Sequence, residues 1–367
     1  MEEELFLLSF ISSWINFKFK EKNNIEKVML VKAAAFGEVM MRCSVPGKKK
    51  LFQSNNLEYM FSGTGLNVMG QLERFGLETE LITKLPDNPL GDAAVSQIQS
   101  LGINTGKIAR GGEFIGIYFL EEGFGKRPSV VTYTDRRGSS FCKSKLKDYN
   151  MDDILENVQM IHFCGISLAM NDDVRNIMFS MAERAKAKGI LVVFDCNYRE
   201  KLWKKKYEDA IPNYKKIIEY SDIVFASEKD ISNIFGIKSE KENVEIEEIL
   251  RDLIPEFAVK YDLKLVSGTI RDNKSLNSQK LKGFAYKNKK IYFSEYQELE
   301  IYDRIGGGDA YTSGILYKYL KKAKLEEMVD FAVASAVLGH TTYGDTPVSA
   351  LEEVEELLHG DFSELKR

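Results

Sequence analysis

"DRIGGGDAYTSG", residues 303–314, sets three consecutive glycines, Gly306 to Gly308, directly before an aspartate that opens a helix-like run. Glycine costs backbone entropy and adds no side-chain packing, so three in a row mark a loop that approaches something closely. The helix start indicates what that is. Backbone N–H groups at a helix N-terminus are unpaired and lie at the positive end of the helix dipole, so a glycine loop leading into one suits an anion such as phosphate. Asp309 then has two readings: a carboxylate that caps the helix, or a base beside an anion hole.

Outward from this stretch, apolar runs alternate with helical-period segments from Lys32 onward. "KAAAFGEVMM" reads as a first strand, "LNVMGQLERFG" as a helix ended by Gly76, "ETELITKL" as a strand and "GDAAVSQIQSLG" as a helix ended by Gly102. "VQMIHFCG", "ILVVFDCN", "SDIVFAS" and "LKLVSGT" then read as four buried-type strands separated by helices such as "DDVRNIMFSMAERAKAKG". This pattern predicts an α/β fold, doubly wound, with a mainly parallel sheet. Two segments break it. "RCSVPGKKKLFQSNNLEYMFSG" and "GGEFIGIYFLEEGFGKRPSVVTYTDRRG" hold several strand-like pieces without helices between them, and predict a small separate β-sheet acting as a lid. Such a two-faced sheet also offers a surface for pairing with a second copy, hence a homo-oligomer.

Composition narrows the class. With 44% hydrophobic and 29% charged residues and a net charge of -4, the 367-residue chain is that of a soluble globular protein with no nucleic acid or membrane surface as expected partner. The run Lys204-Lys205-Lys206 reads as a solvated helix face. Cys43, Cys142, Cys164 and Cys196 are far apart and form no C-x-x-C, which fits a reducing cytoplasm rather than a disulfide framework or a zinc knuckle. Three histidines, His162, His340 and His359, are too scattered for a histidine metal site or a readable triad. "LFLLSFISSWINF", Leu5 to Phe17, is shorter than the ~20 apolar residues of a spanning helix and lacks the basic start of a signal peptide. Residues 1–30 therefore read as an N-terminal extension: either an added helix, or the product of an upstream start with the functional chain beginning near Met29.

In a doubly wound sheet, ligands sit beyond the carboxyl ends of the strands. The residues there are polar: Gly37-Glu38, "DCNYREKLW" (Asp195 to Trp203), Ser227-Glu228-Lys229-Asp230 and Gly268-Thr269-Ile270-Arg271. Each alone also reads as a cap or a solvated loop; their shared location is what groups them.

Together these stretches resemble the ribokinase-like, PfkB-type carbohydrate kinases, from about Val31 to His359. "TKLPDNPLGD" (Thr83 to Asp92), "DCNYREKLW", "GTIR" (Gly268 to Arg271) and "GHTTYGD" (Gly339 to Asp345) look like the 2-keto-3-deoxygluconate kinase branch. The resemblance implies a single kinase domain over 31–360, with lid strands from about 43–62 and 111–137. It also implies ATP and Mg²⁺, with Asp309 as catalytic base and Gly306, Gly307 and Gly308 as anion hole. Substrate would be held by Glu38, Gly63, Asn67, Tyr118, Arg136 and Arg199. Nucleotide would meet Ser227, Gly268, Thr269, Arg271, Ser335 and the neighbouring Ala334, and the metal Asp230 through water.

The chain departs from the family pattern in three places. "SGTGLN" (62–67) keeps Gly63 and Asn67 of a Gly-Gly signature, Ser227 and Asp230 stand for the Asn and Glu of a magnesium-associated motif, and Thr134 stands where a tyrosine is expected before Arg136. Two arginines in a small sugar site suit a carboxylate, as a 2-keto acid carries. The expected activity is ATP-dependent phosphorylation of 2-keto-3-deoxygluconate to the 6-phosphate. The alternatives are another sugar such as fructose or a deoxy-keto-inositol acid, or a non-catalytic sugar-binding homologue. A dinucleotide oxidoreductase lacks its G-x-G-x-x-G after the first strand.

Overall fold

Gly37 and Glu38 divide the first strand run in two. A computed structural model describes residues 31–204, 206–272 and 279–360; the N-terminal extension lies outside them. Strand β1 (Lys32–Phe36) enters a large sheet, whereas β2 (Met40–Ser44) turns away into a small one, so the lid begins at Met40 rather than at residue 43. The chain continues with β3 (Glu58–Ser62), α1 (Thr64–Arg74), β4 (Glu78–Leu85), α2 (Pro89–Ser100), β5 (Ile108–Arg110), β6 (Gly116–Glu121) and β7 (Val130–Tyr133). Next come β8 (Met160–Cys164), α3 (Asp172–Ala187), β9 (Leu191–Asp195), α4 (Tyr207–Ile218), β10 (Ile223–Phe225), α5 (Ile246–Lys260) and β11 (Leu265–Asp272). The last elements are β12 (Gln279–Lys287), β13 (Lys290–Phe293), β14 (Gln297–Leu299), α6 (Gly307–Leu320), α7 (Leu325–Gly339) and α8 (Leu351–His359).

The large sheet runs β13-β12-β11-β10-β9-β8-β1-β4-β5, with β14 paired to β12, and is parallel from β11 to β5. Its central strands are apolar runs because helices cover both faces: Ala33 to Phe36, Val192 to Phe194 and Ile223 to Val224 are fully buried. One face packs on α3, α4 and α5 around Phe36, Phe163, Phe194 and Phe257. On α6, a Cβ at Gly314 would lie 2.6 Å from the Ala332 Cα of α7, so glycine there lets the two helices touch backbone to backbone. The antiparallel edge β12–β14 carries a mixed sequence and was not legible as strand. Lys282 on it is buried because its Nζ pairs with Glu247 of α5.

The small sheet runs β3-β2-β6-β7. Its inner face sets Met40, Tyr118 and Leu120 against Ile305 of the glycine loop. Arg42 of β2, fully buried, pairs with Asp303, Asp345 and Glu122. The lid is thereby bound by charge to the segments that flank the glycine loop. The lysine run is not a helix face: Lys204 lies in a turn with φ 51° and Lys206 is the residue preceding α4, while Lys205 falls outside the described residues.

Candidate active site

Because β1, β8, β9, β10 and β11 are parallel neighbours, Glu38, Asp195, Ser227 and Arg271 all emerge on the same edge of the sheet. The glycine loop enters there. Gly306 has φ +89° at the head of α6, and a Cβ on it would stand 2.0 Å from the Asp345 carbonyl oxygen. A Cβ at Gly307 would stand 1.9 Å from the His340 ring. Only Gly308 faces open space, with nothing within 4 Å of its virtual Cβ. Open space beside the loop is therefore found at Gly308, while the protein's own atoms crowd the other two.

Asp309, half-buried on the first turn of α6, accepts a 2.6 Å hydrogen bond from Asn67 Nδ2, and Thr346 Oγ1 donates to Asn67 Oδ1 at 3.0 Å. The Thr346–Asn67 bond fixes which end of the amide faces the aspartate. Burial pushes the Asp309 carboxyl up to about 8, against the Asn67 hydrogen bond that favours its charged form; the charges of Asp195 and Asp345 add to the rise and Arg199 opposes it. The carboxyl oxygen is engaged by Asn67, and the helix has Gly306 at its N-cap with no side-chain cap hydrogen bond.

Beyond it, Ser227 and Asp230 form a reciprocal cap. Ser227 N and Oγ donate to Asp230 Oδ2 at 2.8 and 2.7 Å, and Asp230 N donates back to Ser227 Oγ at 3.2 Å. Burial raises Asp230, and burial together with the charge of Asp230 pushes Asp195 up to about 7. Arg199, exposed, lowers Asp195, Asp230 and Asp309 together, so it stands close to all three.

On the lid side, Glu38 is buried and doubly occupied: Arg136 Nε donates to Oε2 at 2.5 Å and Ser139 Oγ to Oε1 at 2.7 Å. Arg136 also stacks over Tyr133, 5.4 Å from its ring centre. Arg136 is thus the partner of Glu38 rather than a free member of a guanidinium pair with Arg199. Gly63 is required by close approach, since a Cβ there would lie 2.1 Å from the Glu38 carbonyl oxygen. Tyr118 gives its hydroxyl to Asp345, which also accepts from Ser62 at 2.5 Å and from Arg42, so that hydroxyl is a lid fastening. Asp345 and Ser139 were not read from the sequence as site residues; Asp345 does sit in the quoted "GHTTYGD".

On the opposite flank, Gly268 is held to glycine by the Ala226 carbonyl and the Phe284 ring, each 2.7 Å from a virtual Cβ, and Thr269 is half-buried beside it. Arg271 Nη2 lies 3.2 Å from His340 Nε2. Ser335 is a correction: it is fully buried, and its hydroxyl donates to the Ala310 carbonyl at 3.1 Å, so it joins α7 to α6 instead of facing a nucleotide. Its neighbour Ala334 lines a cavity of about 290 Å³ with Ser294, Gln297, Val337 and Leu357.

The model of the pfkB family carbohydrate kinases matches residues 31–351. The chain belongs to that family. Among solved structures, this pfkB kinase is similar to the 2-dehydro-3-deoxygluconokinase of Thermotoga maritima, with 36% identity and a TM-score of 0.86 over 90% of this chain and 98% of that one. Among characterised relatives it is 26% identical to a 2-dehydro-3-deoxygalactonokinase of Haloferax volcanii, over 90% of this chain and 98% of that protein. It is 29% identical to a 5-dehydro-2-deoxygluconokinase of Clostridium perfringens, over 83% and 86% respectively. The fold of this pfkB kinase is ribokinase-like: a large mixed sheet flanked by helices, with a second small sheet.

Among its described residues, no group of three or more His, Cys, Asp or Glu is arranged to hold a metal ion. The residues present suit a hydrated Mg²⁺ brought in on a nucleotide. Burial drives Asp195 and Asp230 toward the neutral form, with the charge of Asp230 adding to the rise of Asp195, and a divalent cation beyond them would relieve that cost through bridging water. Among the described residues no helix is long and apolar enough to cross a membrane.

Proposed function

We propose that this pfkB kinase transfers the γ-phosphoryl group of ATP to the 6-hydroxyl of 2-keto-3-deoxygluconate. The observation that carries the chemistry is the pairing of Asp309, aimed by Asn67, with the open approach at Gly308 on the first turn of α6. Asp309 accepts the proton of the sugar hydroxyl as its oxygen attacks phosphorus. The unpaired N–H groups of that turn receive the charge on the phosphoryl oxygens. Asp195 and Asp230 would hold the water shell of the Mg²⁺ brought in with the nucleotide, which would supply charge neutralisation for the triphosphate.

The substrate class is supported by Arg199, which has no carboxylate in ion-pair contact among the described residues, and by the Nη atoms of Arg136, whose Nε alone is taken by Glu38. Thr269 and Arg271 serve the triphosphate, and the cavity at Ala334 the base. One catalytic domain over 31–360 acts in the cytoplasm, in keeping with four buried free cysteines. The lid's outer face, with exposed Tyr59 and Val130 beside half-buried Met41, Ile117 and Phe119, pairs with a second copy.

The test is coupled ADP release with 2-keto-3-deoxygluconate, its galacto epimer, 5-keto-2-deoxygluconate and fructose, in wild type and in Arg199→Ala. The keto-acid reading expects the six-carbon 2-keto-3-deoxy acids to lead and to lose far more than fructose on Arg199→Ala. A wild-type preference for fructose overturns it while leaving the kinase assignment intact.

A further inference from the structure

Three strands of the lid converge on one carboxylate. Asp345, buried, accepts from Arg42 of β2, from Ser62 Oγ of β3 at 2.5 Å and from the Tyr118 hydroxyl of β6. The next residue reaches the other way. Thr346 Oγ1 donates to Asn67 Oδ1 at 3.0 Å, and Asn67 Nδ2 donates to Asp309 Oδ2 at 2.6 Å. The fastening of the lid and the hold on the base are therefore adjacent residues of one chain segment.

That segment is gripped along its length. Gly344, at φ +105°, turns the chain into it and donates its N–H to Asp303 Oδ2 at 3.3 Å, while the Asp345 carbonyl presses on Gly306. On the far side, α1 presents Asn67, Gln71 and Arg74 on one face, at i, i+4 and i+7. Gln71 Nε2 donates to the Ser349 carbonyl at 2.7 Å and Arg74 Nε to the Val348 carbonyl at 3.2 Å. Gly70 lets the two approach closely, since a Cβ there would lie 2.8 Å from Thr346 Cγ2. Thr346 thus takes its place from α1 on one side and from the lid, through Asp345, on the other. Its hydroxyl decides the Asn67 amide. Without that donor the buried Oδ1 is left unpaired, and the amide is free to turn away from the carboxylate.

We propose that Thr346 is a positioning residue of the phosphoryl transfer, holding Asp309 through Asn67 in a geometry that depends on the lid being seated on Asp345. The inference rests on the kinase reading above, and joins lid and base through a residue that touches no reacting atom. The other groups facing the Asp309 carboxyl are Asp195 at the end of β9, Cys164 at the end of β8, Asp345 and Arg199, and replacing the Thr346 hydroxyl alters none of them.

The test uses the full chain as wild type, Thr346→Val, Thr346→Ser, Ser62→Ala and the double variant of Ser62→Ala with Thr346→Val. Valine keeps the branched shape against Gly70 and removes only the hydroxyl. Turnover with the best sugar acid is followed from about pH 6 to 10, and melting temperature over the same range with Asp309→Asn as blank. In Thr346→Val the rising limb of kcat/KM should move up by about one pH unit, the worth of one hydrogen bond. Activity at pH 7 should then fall about tenfold and recover near pH 10, with sugar KM little changed. Thr346→Ser should return the limb to its wild-type place. The melting profile should follow: wild type loses the contribution of protonated Asp309 as pH rises through about 8, and Thr346→Val loses it about one unit later. Ser62→Ala should shift the limb the same way by less, and the double variant no further than Thr346→Val alone. Additive shifts, or an unmoved limb in a folded Thr346→Val, would overturn the proposal and leave the kinase reading untouched. Should Thr346→Val fail to fold, Thr346→Ala and Thr346→Ser carry the comparison. In a protein that phosphorylates none of the sugars the substrate reading falls; a displaced melting profile would still support the hold on Asp309, and an undisplaced one would overturn it.

Discussion

Asp309 shows how one carboxyl is tuned by its neighbours. With its pKa near 8, the free enzyme holds it largely protonated at pH 7, so kcat/KM should rise with pH through about 8 as the base form appears. Asn67→Ala removes the hydrogen bond that favours the charged form, so that limb should move to higher pH; a pH–rate profile that stays in place would separate Asn67 from the base. Asp309→Asn should keep substrate binding and lose kcat by roughly 10²–10⁴-fold. Stability follows the same titration. An aspartate near 3.8 when unfolded and near 8 when folded favours the native state below about 4 and loses that contribution as pH rises through about 8. Asp309→Asn does not titrate, so its melting temperature should gain on wild type between pH 5 and pH 8.5.

At the scale of the element, the head of α6 separates two kinds of glycine. Gly307→Ala drives a methyl group into the His340 ring and should lower stability by about 1–3 kcal/mol, as overpacked cores do. Gly308→Ala meets nothing and should leave the melting temperature near wild type while lowering kcat, because its methyl group enters the phosphate's approach. A thermal melt and a turnover assay on the two variants check this; equal destabilisation of both would contradict the assignment. The triplet was visible in the sequence, yet its members were indistinguishable there. What separates Gly307 from Gly308 is a histidine more than thirty positions later in the chain.

For the molecule as a whole, the lid is joined to the body by charge. Arg42 on β2 is the shared partner of Asp303 and Asp345, whose segments frame the glycine loop, while Ser62 of β3 and Tyr118 of β6 reach the same Asp345. Arg42→Ala should cost about 3–5 kcal/mol by stranding buried carboxylates. Because the lid carries Glu38 and Arg136 close behind it, sugar KM should rise as well, which melting and steady-state kinetics together would register. The apolar outer face of the lid predicts a dimer: light scattering after gel filtration should give twice the chain mass, and Phe119→Glu with Ile117→Lys should return a monomer.

The alternation of apolar strands and amphipathic helices, the glycine loop before Asp309 and the polar strand ends are local patterns, and the sequence alone was enough to predict from them a doubly wound α/β fold with a lid. Roles that depend on which residue faces which were not local. Glu38 and Arg136 are almost a hundred positions apart, as are Asn67 and Asp309 by more than two hundred, and only the folded chain makes them partners. Ser335 had the right neighbourhood and the wrong direction, because a helix presents adjacent residues to different faces. His340 likewise carried no signal as a neighbour of the glycine loop; its place against Gly307 and beside Arg271 comes from elements far apart along the chain being brought together in space.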